Sequence, residues 1–213
     1  MITEDHIIYI VDDDARMREG ILELLTSRGM RAVAFGSASE YAASLKSDVP
    51  ACIILDVELP DINGLVFQEQ ISHQAHPPIV FITGHGDVPS SVRAIKSGAI
   101  DYLLKPFTES DLLTAIHAAI AQDHKQRTAR AELGILQERL SSLTPRERDV
   151  LPLVVSGLLN KQAAAELGIS EITLQVHRGK IMQKMKAASL ADLVRFAQAL
   201  QIPINYSKRQ EPS

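Results

Sequence analysis

The chain has 213 residues, of which 46% are hydrophobic and 23% charged, with a formal net charge of −4. That is enough apolar material for one large core or two ordinary ones. A single cysteine, Cys52, excludes an intramolecular disulfide framework. The sequence shows no basic-then-apolar leader and no apolar stretch of about 20 residues, so a soluble, intracellular, cytoplasmic chain with no membrane partner is expected.

Charge is unevenly placed. Residues 1–123 carry 8 Lys and Arg against 18 Asp and Glu, whereas residues 144–200 carry 8 against 5, which suggests two domains with different partners. Five apolar runs punctuate the first part: "HIIYIV", "RAVAF", "ACIIL", "PIVFIT" and "IDYLL". Their shortness and their Ile and Val content predict buried strands, with Cys52 inside one of them as a small buried hydrophobe. Between the runs, "RMREGILELLTSRG" sets Met17, Ile21, Leu24 and Leu25 on one helical stripe and stops at Gly29. "GLVFQEQI" groups Leu65, Phe67 and Ile71, and "VPSSVRAIKSG" groups Val88, Val92 and Ile95 before Gly98. This alternation predicts an α/β fold, a doubly wound parallel sheet covered on both faces, with ligands at the carboxyl ends of the strands.

The charged groups gather at those ends. Asp12 and Asp13 close the first run, Asp56 the third, Thr83 the fourth and Lys105 the fifth. Crowded carboxylates repel one another, and a hard divalent ion with oxygen ligands, Mg²⁺ above all, relieves the repulsion. Asp56 then reads as a nucleophile that can take a phosphoryl group as an acyl phosphate, with the metal, Lys105 and the Thr83 hydroxyl neutralising the transferred oxygens. Asp14 reads instead as the N-cap of the helix starting near Ala15.

From Thr108, "TESDLLTAIHAAIAQ" starts an amphipathic helix with Thr108 and Asp111 as a capping pair. It can run on through a helical linker at 124–143, although Gly134 weakens it by up to ~1 kcal/mol. Leu133, Leu136, Leu140 and Leu143 form a seam suited equally to a two-stranded coil or to packing on the chain's own domains. "SLTPRERDVL" opens the next helix, with Thr144 as N-cap, Pro145 first in the helix and Glu147 closing a capping box; Pro152 inside it predicts a bend. "NKQAAAEL", broken by Gly168, and "EITLQVHRGKIMQKM", capped by Ser170, have helix-turn-helix spacing, with Ala164 and Ala165 allowing a close crossing. Ala163, Leu167, Ile169, Ile172, Val176, Ile181 and Met185 are expected to supply its core. Ser189 and Asp192 box a last helix. The helix at 171–184 carries Thr173, Gln175, His177, Arg178, Lys180 and Lys184, a set suited to phosphate oxygens and, through Gln, to adenine. Gly179 costs up to ~1 kcal/mol there and would let the helix sit close to DNA.

The stretch 5–122 resembles the receiver domain of two-component response regulators: "VDDD", "LDVELPDINGL", "FITGHGD" and "DYLLKPF" stand in that family's order and spacing. The resemblance implies a receiver at 1–123, flavodoxin-like in fold, whose Asp56 accepts phosphate from a histidine kinase. It implies that Asp13, Asp56 and the backbone carbonyl of Glu58 hold Mg²⁺, with Asp12 acting partly through water. It further implies that Thr83 turns toward the phosphoryl oxygens, that Tyr102 changes rotamer, and that Lys105-Pro106 is a cis peptide. Glu58 and His85 would overhang the phosphoryl group and modulate its lifetime, either as an ion pair or as two separately solvated side chains.

Residues 144–202 resemble the all-α, four-helix LuxR-type DNA-binding domain, followed by a tail at 203–213. The whole chain is thus similar to NarL/FixJ-type response regulators, and "GHGDVP" to the FixJ branch. Carried across, Gln175, Val176 and Gly179 are base-facing, and Lys161, Thr173, Arg178 and Lys180 lie near phosphates, with Lys184 on the same helix. The implied function is a phosphorylation-activated transcription regulator that forms homodimers on promoter DNA and has no enzymatic role beyond its own phosphorylation and dephosphorylation. Activation would proceed by dimerisation through the fourth helix and fifth strand, or by release of helix 171–184 from a covering receiver. The alternatives are a Mg²⁺-dependent aspartyl-nucleophile phosphohydrolase, with Glu58 as its second acid, and a protein-binding adaptor without DNA affinity.

Overall fold

The computed structural model describes residues 6–86 and 88–204. The chain falls into two compact units that part between Arg127 and Thr128. In the first, β1 (Ile7–Val11), β2 (Arg31–Phe35), β3 (Ala51–Asp56), β4 (Ile79–Thr83) and β5 (Asp101–Leu104) form a parallel sheet in the order β2-β1-β3-β4-β5. The connecting helices are α1 (Ala15–Ser27), α2 (Ala38–Ala43), α3 (Gly64–Ile71) and α4 (Val88–Lys96), and α5 (Glu109–Ser141) follows β5. Val11 pairs with Leu55, Asp56 with Ile82, and Thr83 with Leu104, so the carboxyl ends of the strands finish level.

Alternation along the strands divides the core between the two sheet faces. Tyr9, Val11, Ile53, Leu55 and Phe81 pack with Tyr41 and Phe67 on one face, and Ile8, Ile10, Ile54 and Ile82 with Leu25, Leu112 and Ile116 on the other. Each such fully buried Ile or Leu contributes about 1.5–3 kcal/mol. Asp14 caps α1 by accepting from the Arg16 and Met17 amides, and Thr108 and Asp111 bond reciprocally at the start of α5.

One expectation needs correction here. Only β1, β3 and β4 are buried throughout; β2 and β5 are edge strands, each with one neighbour, and are partly exposed. The stripe on α4 faces solvent: Val88 is 75% exposed, Val92 45% and Ile95 47%, while the small Ala94 packs inward. The six-residue α2 was not foreseen; Ser37 caps it by accepting from the Glu40 amide, and Tyr41 anchors it.

The second unit contains α6 (Pro145–Val155), α7 (Asn160–Leu167), α8 (Glu171–Met185) and α9 (Leu190–Ala199). Capping boxes open α6 and α9, and α6 continues through Pro152 to Val155. Gly168, at φ 64°, makes the left-handed turn between α7 and α8 that a side chain disfavours. The core holds Val150, Val154, Ala163, Leu174, Ile181, Met185 and Leu193, with Leu167 and Ile169 packed against it. Leu143 belongs to this core and Leu140 packs on it, which engages that end of the leucine seam within the second unit. Ile172 and Val176 are not core residues: Leu174 and Ile181, fully buried, set the inner face of α8 and turn those two outward. Ala165 is likewise exposed, and the close crossing is made by Ala163 and Ala164. Residues 205–213 of the expected tail lie outside the described residues. No described helix is long and apolar enough to cross a membrane.

Candidate functional site

Register brings the four predicted strand ends together. Asp12 is fully buried, Thr83 is too, and Asp56 nearly so. Carboxylate oxygens of Asp12, Asp13 and Asp56 lie within 4.8 Å of one another. Lys105 reaches them because its amide continues the β4–β5 ladder, donating to the Thr83 carbonyl at 2.7 Å. Its ammonium donates to Asp12 Oδ2 and Asp56 Oδ2, both at 2.7 Å. The remaining oxygens are also engaged: Asp12 Oδ1 accepts from the Asp14 amide at 2.8 Å, and Asp56 Oδ1 from the Glu58 amide at 3.1 Å. Asp13 is exposed and lines an open cleft with Asp56, Glu58, His85 and Lys105.

Burial raises the Asp12 carboxyl above its ordinary value despite the Lys105 ammonium and the Asp14 amide, which pull the other way. For Lys105 burial acts downward, and the hydrogen bonds it donates to the two carboxylates outweigh it, leaving the ammonium firmly protonated. One ammonium therefore faces three carboxylates. Hard oxygen donors with surplus negative charge are the donor set that a Mg²⁺ ion takes, and the acidic trio fits such an ion.

The other sequence-predicted residues are placed as follows. The Thr83 hydroxyl donates to the His85 carbonyl at 3.1 Å and accepts from the His85 amide at 3.2 Å, so it is held by its own loop. His85 Nδ1 stands 3.4 Å from Glu58 Oε2, with both side chains well exposed. Partly buried Tyr102 packs on Phe81 at 6.1 Å between ring centroids. Lys105-Pro106 is cis.

Two residues that shape the site escaped sequence reasoning. A Cβ on Gly64 would lie 2.3 Å from the Asp56 carbonyl oxygen, so only glycine lets the chain fold back there, its amide donating to the Val57 carbonyl at 2.8 Å. Asp61 fixes the same loop by accepting from the Ser39 hydroxyl at 2.6 Å and amide at 2.8 Å, and the hydroxyl's bond holds its carboxyl below the usual range. "Asn-Gly" before an apolar helix was the available signal for the first; nothing local marks the second.

In the second unit, Lys161, Thr173, Gln175, Val176, Gly179 and Lys180 are exposed, and half-buried Arg178 donates to Asn160 Oδ1 at 3.2 Å. Lys184 differs from expectation. Its ammonium turns inward, 2.6 Å from Glu147 Oε2 and 3.1 Å from the Ser142 carbonyl, and leaves the phosphate-contact set. The cause is Glu147, 2% exposed and already accepting from the Thr144 amide at 2.8 Å, which needs a cation beside it. Burial pushes the Glu147 carboxyl up, but Lys184 and Thr144 outweigh it and hold it below its ordinary value.

The response regulator receiver domain matches residues 8–117, and the luxR family of bacterial regulatory proteins matches residues 141–197. Nodulation protein W of Bradyrhizobium diazoefficiens is 46% identical over 206 residues, 96% of this chain and 91% of that protein. The response regulator protein TodT of Pseudomonas putida is 45% identical over 195 residues, 91% of this chain and 86% of that protein. Among solved structures, the response regulator StyR superposes with a TM-score of 0.77 at 44% identity, covering 91% of this chain and 98% of that one. Full-length FixJ from B. japonicum superposes with a TM-score of 0.56 at 38% identity, covering 94% and 100%.

Proposed function

The chain belongs to the response regulators that join a receiver domain to a LuxR-type DNA-binding domain, and we propose that its phosphoacceptor is Asp56, charged in the cytoplasm by a histidine kinase. The observation that carries this is the single ammonium of Lys105 shared at 2.7 Å by buried Asp12 and Asp56, with Asp13 alongside. A carboxylate oxygen of Asp56 attacks the phosphorus of the kinase's phosphohistidine. The P–N bond breaks, its electron pair returns to the imidazole, and an acyl phosphate forms on Asp56. Lys105 then loses one of its carboxylate partners and gains a phosphoryl oxygen in its place.

Asp12, Asp13, Asp56 and the Glu58 carbonyl would hold Mg²⁺, which supplies neutralisation of charge on the phosphoryl oxygens. Thr83 gives up its two bonds to the His85 backbone and turns to the phosphoryl group, and Tyr102 follows into the vacated space. Glu58 and His85 act together at the mouth of the cleft, where their pairing restricts water and lengthens the life of the acyl phosphate; their 3.4 Å approach supports this.

The functional segments are a receiver at 1–123, a linker at 124–143 and a DNA-binding domain at 144–202. Exposed Val88, Val92 and Ile95 on α4 and Leu104 on β5 support homodimerisation through that face on phosphorylation. A dimer holds two α8 helices at high effective concentration over two half-sites. Gln175, Val176 and Gly179 face bases, and Lys161, Thr173, Arg178 and Lys180 approach phosphates. Membership of a transcription-factor family rather than an enzyme family stands against the phosphohydrolase alternative. The test is selection from a random duplex pool with and without acetyl phosphate. The wild type gains specific binding with the donor and Asp56→Asn does not; equal gains by both would contradict the proposal.

A further inference from the structure

The carboxyl ends of α5 and α8 hold each other. α8 runs out at Met185, with Lys186 in the left-handed region at φ 53°, a conformation that side chains rarely adopt without support. Its closing carbonyls need partners from beyond the helix. The Lys186 amide donates to the Gln183 carbonyl at 3.1 Å, and the Ala187 amide to that of Met182 at 3.0 Å. The Met185 carbonyl accepts instead from the guanidinium of Arg139, at 3.2 Å, in the last turn of α5. The exchange is reciprocal. At the end of α5, the Ser142 carbonyl accepts from the Lys184 ammonium at 3.1 Å, and the Ser141 carbonyl from Arg148 of α6 at 2.9 Å. Each of α5 and α8 thus sets a cation against the negative end of the other, where it is favourable.

We propose that Arg139 is a positioning residue for DNA binding: by holding the Met185 carbonyl it fixes the carboxyl end of α8, and with it the angle at which that helix meets the DNA. The inference rests on the DNA-binding reading above and adds to it a linker residue, five positions before Thr144 and outside the DNA-contact set. The other attachments of α8 lie elsewhere or act through flexible groups. Ser170 accepts from the Thr173 amide at 3.1 Å at the amino end, Arg178 reaches Asn160 of α7, and Leu174, Ile181 and Met185 pack the inner face. An apolar face by itself lets a helix tilt along it. At the carboxyl end Lys184 holds Glu147 through its long, flexible stem, whereas Arg139 holds the backbone itself. A helix kept in its bound orientation beforehand avoids the cost of being ordered on binding. Arg139 is half-buried and engaged with that backbone, so its effect on DNA passes through α8.

The test uses the full-length chain treated with acetyl phosphate and a duplex enriched from a random pool by the wild type. Arg139→Met should stay folded, because the core of the second unit is untouched, and bind that duplex about tenfold more weakly. Its slope of log affinity against log salt should equal that of the wild type, whereas Lys180→Ala lowers the slope by about one unit. In hydrogen exchange without DNA, the amides around Lys186 should lose protection and those around Leu174 should keep it. Arg139→Lys, which can still donate to the carbonyl, should recover most of the affinity. Undiminished affinity in Arg139→Met, or failure of that variant to fold, would leave Arg139 a structural role alone and overturn the proposal. A slope lowered as in Lys180→Ala would make Arg139 a phosphate contact and overturn it equally. A wild type that enriches no duplex would remove the DNA-binding reading itself, and this inference with it.

Discussion

Each unit buries a carboxylate against a lysine ammonium, and the two sites are built to opposite ends. At Glu147 the charges balance: one carboxylate, one ammonium at 2.6 Å, and the Thr144 amide completing the shell. At Asp12 and Asp56 one ammonium serves two buried carboxylates, with a third, Asp13, at the cleft mouth. Burial pushes both carboxyls up; at Glu147 the Lys184 and Thr144 bonds outweigh it and hold the group below its ordinary value, whereas at Asp12 burial prevails over the shared Lys105 ammonium and holds the group above. A neutralised buried pair fastens helices, whereas a surplus of buried charge marks a place prepared for a cation and an incoming phosphoryl group.

Removing the balanced cation should give the largest effect. Lys184→Met leaves Glu147 buried without a counter-charge and should cost the second unit about 3 kcal/mol in denaturant unfolding. The variant should keep the salt dependence of DNA binding, which Lys180→Ala lowers by about one unit of slope. An unchanged stability would break the comparison on its structural side. On the other side, Mg²⁺ should stabilise the first unit by about 1–3 kcal/mol once well above its dissociation constant, and a chelator should reverse this. The amides of α6 and α8 should show no such gain in hydrogen exchange.

Acidification should separate the units by sign. Glu147 is held below its ordinary 4.5, so its contribution is complete above that pH and is lost as pH falls through the lowered value. Asp12 is held above its ordinary 3.8, so its contribution is present below that pH and is lost as pH rises through the raised value. Hydrogen exchange in metal-free buffer between about pH 6 and pH 3, with Asp12→Asn and Glu147→Gln as comparators, should show each slope vanish with its own variant. The smallest effect belongs to the exposed pair at the cleft mouth: His85→Ala and Glu58→Ala should each shorten the acyl-phosphate lifetime about two- to fivefold, in keeping with the modest strength of exposed pairs.

Much of this was legible because local pattern and tertiary role agree. Short Ile- and Val-rich runs ending in acids became strands ending at a site, and Thr144, Pro145 and Glu147 became the start of α6. Legibility failed where a residue's role depends on what lies across from it. Val88, Val92 and Ile95 fall on one helical stripe, and periodicity alone cannot say whether the stripe faces the core or a partner. Both faces of α8 carry apolar residues, so Ile172 and Val176 were expected inside, where Leu174 sits. Edge position for β2 and β5 is a property of sheet order and leaves no trace in the strands' own few residues. Lys184 looked like its basic neighbours until Glu147, 37 positions away, was seen to need it. The Gly64 contact with the Asp56 carbonyl and the Asp61 bond to Ser39 are likewise consequences of folding.

The central claim is that Asp56 carries the phosphate, and site-resolved mass spectrometry tests it most directly. Protein treated with acetyl phosphate and Mg²⁺ at neutral pH should gain about 80 Da, mapped to the peptide containing Asp56 and absent from Asp56→Asn. A mass gain on any other side chain, or none in the wild type, would contradict the account.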